Sequence, residues 1–119
     1  AEPLLPLYLR LRLRRGKEDA VRLKERLGHA RLTRPKGKKL LWVHAASVGE
    51  ANSVLPLLLA FQERYPSWWI MVTTGTVTSA ALMKERLPAG AFHQYIPLDA
   101  PRAVARFLAH WQPDAAWWV

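Results

Sequence analysis

The chain has 119 residues, a net charge of +9 and a composition that is half apolar. That suffices for about one domain of the usual ~100–200 residues and is too apolar for a disordered tail. Cysteine is absent, which excludes disulfides and thiolate metal ligands and fits a cytosolic compartment. None of His29, His44, His93 and His110 has close ligand spacing to another, which argues against a zinc site. No uninterrupted apolar run approaches the ~18–20 residues of a spanning helix.

The charge is unevenly placed. Residues 1–40 hold thirteen Lys/Arg and four Asp/Glu, whereas residues 41–119 hold five of each. A basic N-terminal arm therefore precedes a neutral, tryptophan-rich body. The chain starts at Ala1 and stops inside the apolar run Trp117-Trp118-Val119. It reads as a fragment, with something before it and a larger part after it.

In chain order, LLPLYLRLRLRR (residues 4–15) predicts a leucine-rich helix with arginines able to snorkel outward, broken by Gly16. EDAVRLKERL (18–27) predicts a second helix, with Asp19 as its cap, Ala20, Leu23 and Leu27 on its apolar face, and Gly28 as its stop. RLTRPKGKK (31–39) reads as a basic loop. LLWVHAA (40–46) has the length and composition of a strand, followed by a turn at 47–50. Residues 51–65 carry Ala51, Val54, Leu55, Leu58 and Tyr65 at helical spacing, and Pro56 implies a late start or a kink. Further strands are expected at 68–73, 92–96 and 115–119. Thr78 is the expected cap of a helix ending at Leu87, and Asp99 that of a helix with a Val104, Phe107, Leu108 and Trp111 stripe. Strand starts 22–28 residues apart suit βαβ units. Strands apolar on both parities suit a parallel sheet covered on both faces. The expected fold is α/β, a Rossmann-like parallel sheet over residues 40–119, with residues 1–39 as a helical arm.

Ligands of such a sheet bind beyond the carboxyl ends of its strands. The loops there carry Ser47, Gly49 and Glu50, then Thr74, Thr76, Thr78 and Ser79, then Asp99. Glu50 stands at a helix entrance. A carboxylate there can serve as a general base, but from spacing alone a first-turn acid favouring the helix dipole is the simpler reading. Gly49 permits a tight turn or the close approach of a ligand. Neither GxGxxG nor GxxxxGK[ST] is present. The threonines could hydrogen-bond sugar or phosphate oxygens, but caps and strand ends are the simpler reading. His44 reads as a packed, hydrogen-bonded histidine. Trp68, Trp69, Trp117 and Trp118 read as core or domain-interface residues.

The blocks HAASVGE (44–50), PLLLAFQERYP (56–66), VTTGTVTSA (72–80) and YIPLDAPRAVARFLAHWQPD (95–114) occur here in order. With RRGKEDAVRLKERLG (14–28), they resemble the N-terminal domain of the bacterial Kdo transferases of lipopolysaccharide biosynthesis, glycosyltransferase family 30. The resemblance covers nearly the whole chain. It implies the N-terminal half of a GT-B glycosyltransferase that receives a lipid A precursor, with the donor CMP-Kdo held by a C-terminal domain outside this chain. It implies inverting transfer with neither a catalytic metal nor a further cofactor. It maps the catalytic base onto Glu50; Ser47, Gly49, Thr74, Thr76 and Thr78 are the acceptor-binding candidates by their place on the loops at the carboxyl edge. The family's acidic ELWPN-type segment would follow Val119. The fragment alone is then expected to be inactive.

Family members usually begin with a hydrophobic anchor on the cytoplasmic face of the inner membrane. The leucines and arginines of residues 4–15 suit that anionic surface. Two other readings stand beside this one: a different GT-B acceptor domain, and a basic nucleic-acid-binding module. The neutral body and the lack of a binding motif weigh against nucleic acid.

Overall fold

The computed structural model describes residues 5–16, 18–30 and 32–119. Helix α1 spans Leu5–Arg14, and a single 3-10 turn spans Leu23–Leu27. Then strand and helix alternate: β1 (Leu40–His44), α2 (Val48–Arg64), β2 (Trp69–Thr74), α3 (Val77–Arg86), β3 (Ala91–Tyr95), α4 (Pro101–Trp111) and β4 (Ala115–Trp118). The four strands form one sheet in the order β3-β2-β1-β4, with every pairing parallel. This is the expected Rossmann-like α/β arrangement.

Strand alternation divides the core in two. Leu41, Val43, Ile70 and Val72 face α2 and α3 and pack with Ala51, Val54, Leu58 and Met83. Leu40 and Met71 face α4 and pack with Phe107 and Trp111. All of these side chains are buried, and fully burying each large one contributes about 1.5–3 kcal/mol.

Several sequence expectations need correction. Residues 18–27 do not form an α-helix. Asp19 Oδ1 accepts the main-chain N–H groups of Val21 and Arg22 at 2.9 and 3.3 Å, which builds a turn rather than a helix cap. The side chains that go inward are then Glu18, Glu25 and Arg26, while Val21 is 90% exposed. Gly28 does end the 3-10 turn, at φ 86°. Helix α2 begins at Val48 rather than 51 and runs through Pro56. Pro56 and Asn52 are both exposed, so the carbonyl that proline leaves without a helical donor lies on the water side. Thr76, not Thr78, caps α3, by accepting the Ser79 N–H. Asp99 does not cap α4. Its N-cap is Ala100, which makes no side-chain bond, and Pro101 pre-sets the first turn. The buried stripe of α4 is Ala103, Phe107 and Trp111, with Leu108 turned out. On α2, Tyr65 is likewise exposed.

Arg26, Leu27 and Arg34 fasten the arm to the body. Arg34 reaches the Trp111 carbonyl at 2.6 Å and Asp114 at 3.1 Å, and Asp114 also accepts the Leu40 N–H at 2.8 Å. Arg106 donates twice to the Leu27 carbonyl, and Arg26 offers its carbonyl to the Leu98 N–H. Glu18 pairs with Arg12 and lies 3.5 Å from Arg26. Burial holds the Arg26 guanidinium below its usual range, partly offset by Glu18. The hydrogen bond from Arg12 to Glu18 raises Arg12. Arg12, Arg26 and Arg34 of the arm thus serve the fold rather than the surface charge.

Candidate active site

Parallel pairing brings the carboxyl ends of all four strands to one edge of the sheet, the edge where such folds bind ligands. The first loop there runs from β1 into α2. Ser47 has extended backbone angles and is the N-cap of α2, its Oγ accepting the Glu50 N–H at 3.1 Å. Glu50 answers from the third helical position, and its Oε1 accepts the Ala46 N–H at 2.8 Å. The pair is a capping box displaced by one residue, and it satisfies one main-chain donor of the helix start and the N–H of the residue before the cap. The S-x-x-E spacing was visible in the sequence, but it went unused because 47–50 was read as a turn.

The Glu50 carboxylate is therefore oriented by one oxygen and keeps the other. Oε2 makes no hydrogen bond to a described residue, and the side chain is half-buried. Gly49, one residue earlier, has an ordinary helical backbone, so no turn requires glycine there. A Cβ at Gly49 would meet only Ser47 Oγ, at 3.9 Å. What glycine provides at this position is bare main chain beside Glu50.

The threonines separate into two groups. Thr76 and Thr78 are exposed at the start of α3, on the second loop of the same edge. Thr76 Oγ1 accepts the Ser79 N–H at 3.1 Å. Thr74 is fully buried, and its hydroxyl lies 2.7 Å from His93 Nε2. The structure brings Ser47, Gly49 and Glu50 together on one loop, with Thr76 and Thr78 on the next, and turns Thr74 away into the body.

His44 closes β1 just before this loop. It is half-buried, with Nδ1 2.9 Å from Thr73 Oγ1 and its ring against Trp118 at 5.4 Å. Thr73 Oγ1 also accepts the indole N–H of Trp42 at 2.8 Å. Burial lowers the His44 pKa, and the Thr73 main chain and the Glu50 charge partly offset it. The packed, hydrogen-bonded histidine expected from the sequence is present. Its partner, Thr73, was not foreseen, because it comes from a neighbouring strand 29 residues away. Of the four tryptophans named from the sequence, Trp68 and Trp69 are half-buried, whereas Trp117 and Trp118 are exposed on the edge strand β4.

A family model described as 3-deoxy-D-manno-octulosonic-acid transferase (kdotransferase) matches residues 21–119. A probable mitochondrial 3-deoxy-D-manno-octulosonic acid transferase of Arabidopsis thaliana is 42% identical over 113 residues, 95% of this chain and 25% of the relative. The 3-deoxy-D-manno-octulosonic acid transferase of Rickettsia bellii is 39% identical over 93% of this chain and 27% of its own length. That of Haemophilus influenzae is 35% identical over 94% and 26%. The chain thus spans about a quarter of the length of these relatives. No solved structure matches it. With the parallel sheet, the capped Glu50 loop and a family match that covers the whole body, this chain belongs to the Kdo transferase family, in its N-terminal domain.

Proposed function

We propose that this chain belongs to the acceptor-side half of a GT-B glycosyltransferase that moves Kdo from CMP-Kdo to a hydroxyl of the lipid A precursor. The observation that carries the reading is the Glu50 carboxylate at the carboxyl edge, anchored through Oε1 with Oε2 open. An anchored carboxylate with a free oxygen is what a general base needs: it accepts the acceptor hydroxyl's proton as that oxygen attacks the donor's anomeric carbon. Bond formation on the face opposite the departing cytidylate inverts that centre. The bare main chain at Gly49, the exposed Thr76 and Thr78 and the Ser47 cap line the approach for the acceptor sugar. Thr74 supports the second loop from inside. The donor is assigned to a C-terminal domain, and catalysis to protein groups without a metal.

The arm gives the reading a membrane side. On α1, Leu7 and Leu11 are 56% and 45% exposed, and Arg10 and Arg14, with Arg15 just past the helix end, also point out. At about 100° per residue the two leucines stand side by side with Arg10 and Arg14 on one flank and Arg15 on the other. Leu9, on the opposite side, is buried. An apolar stripe between cations suits the interface of an anionic leaflet. No helix among the described residues is long and apolar enough to cross a membrane. We assign this protein to the cytoplasmic face of a bacterial inner membrane.

The test is transfer by the full-length protein. Purified with its C-terminal domain, it is expected to move Kdo from CMP-Kdo to a lipid A precursor in the presence of a chelator, while residues 1–119 alone transfer none. Transfer only to a different acceptor class, or dependence on an added divalent metal, would contradict the assignment.

A further inference from the structure

His44 stands at this edge at the end of a three-residue chain of hydrogen bonds. Thr73 Oγ1 accepts the Trp42 indole N–H at 2.8 Å and has His44 Nδ1 at 2.9 Å, and it has no third partner among the described residues. An indole nitrogen only donates, so this bond uses the hydroxyl as acceptor and leaves its own proton to place. Thr73 has no solvent exposure, and a buried donor left unmade is costly. Donation to Nδ1 satisfies it. The imidazole then carries its own proton on Nε2. The opposite tautomer would turn the Nδ1 proton toward the Thr73 main chain and hydroxyl and leave the hydroxyl's own proton without an acceptor.

Nε2 makes no hydrogen bond to a described residue and is not among the buried unpartnered atoms. His44 itself is the last residue of β1, at the carboxyl edge, six residues before Glu50, whose charge reaches it. We propose that the Trp42–Thr73 pair locks His44 as an Nε2–H donor that binds an oxygen of the acceptor sugar beside the one Glu50 deprotonates. His44 would then be a substrate-contacting residue, with Thr73 and Trp42 its positioning residues. The division of labour is chemical: Glu50 offers an acceptor for a proton, His44 a fixed donor for an oxygen lone pair. The functional half of this inference rests on the transferase reading above, whereas the tautomer does not.

The experiment has two arms. Nitrogen-15 NMR of residues 1–119 near pH 8 reads the tautomer directly. The expected result is a single Nε2–H form with Nδ1 unprotonated, and a mixture of tautomers in the near-isosteric Thr73→Val. An Nδ1–H or mixed wild type would overturn the lock. In the full-length enzyme, His44→Leu is expected to raise KM for the lipid A precursor by about 2- to 12-fold, the range of one net hydrogen bond, with a smaller change in kcat. His44→Gln, which restores an N–H donor, should recover part of that loss. An unchanged KM in a folded His44→Leu enzyme would overturn the substrate contact. Wild-type enzyme without transfer would instead sink the transferase reading and leave the tautomer result standing.

Discussion

The Glu25 carboxylate accepts the main-chain N–H of Tyr95 at 2.9 Å, across 70 residues of sequence. Arg22 grips the same carboxylate with two bonds of 2.7 Å and donates to the His93 carbonyl at 3.2 Å. His93 and Tyr95 lie on β3, whose other side pairs with β2. An ion pair from the arm thus takes the place of a neighbouring strand on the free edge of the sheet, where unpaired main-chain groups invite aggregation. The guanidinium also covers the Tyr95 ring at 4.6 Å, and burial pushes the Tyr95 hydroxyl up to about 12.

Glu25→Ala should therefore be severe. Removing one partner of a buried pair costs about 3–5 kcal/mol, and the partial exposure of Arg22 places this case at the lower end. Urea unfolding of the variant measures it, and size-exclusion chromatography should show added self-association through β3. A loss under about 1 kcal/mol would show that the edge does not need this cap.

Gly28 sets a second constraint. At φ 86° a side chain is strained, and a Cβ would stand 2.1 Å from the Ala103 carbonyl oxygen in α4. Both elements are main chain, so neither yields cheaply. Gly28→Ala should destabilise by more than the ~1–2 kcal/mol of a left-handed residue alone. Gly37→Ala, with nothing within 4 Å of its Cβ, isolates the backbone share. Equal melting temperatures for the two variants would remove the packing argument.

The strands and their parallel order were legible because each apolar run is short, covered on both faces and separated by a helix with its own stripe. The arm was not. In residues 18–27 the sequence shows an apolar spacing at Ala20, Leu23 and Leu27, yet the structure buries Glu18, Glu25 and Arg26. Those charges are buried only because their partners lie on Arg12, on Arg22 and on the main chain of β3, and no local pattern reports such partners. The site was half legible. Glu50 and its loop followed from strand, turn and helix order, whereas Thr74 looked like a loop residue and proved to be the buried last residue of β2.

His44 predicts a pH dependence. Burial holds its folded pKa below the ordinary 6.5. Below pH 6.5 the unfolded chain therefore binds a proton that the folded chain resists, so stability falls as pH drops through that region. Melting curves between about pH 7.5 and 5.5 should show a shallower loss for His44→Gln than for wild type. Parallel slopes would mean that His44 titrates alike in both states.

The α1 face predicts lipid binding that salt weakens, as the Debye length shrinks from ~10 Å at 0.1 M to ~3 Å at 1 M. Replacing Arg10, Arg14 and Arg15 with Gln should abolish most binding of residues 1–119 to anionic vesicles, and replacing Leu7 and Leu11 with Ser should weaken the remainder. Binding of equal strength to neutral vesicles would reject the electrostatic share.

The central claim is that Glu50 is the base, and Glu50→Gln in the full-length enzyme tests it most directly. Glutamine keeps an oxygen for the Ala46 N–H, so the α2 cap survives and melting should shift by less than about 1 kcal/mol in stability. The proton acceptor is gone, so transfer of Kdo should fall by at least ~10²-fold, the lower end of what general-base catalysis contributes. A folded Glu50→Gln enzyme with near-wild-type transfer would contradict the account and return Glu50 to a purely structural capping role.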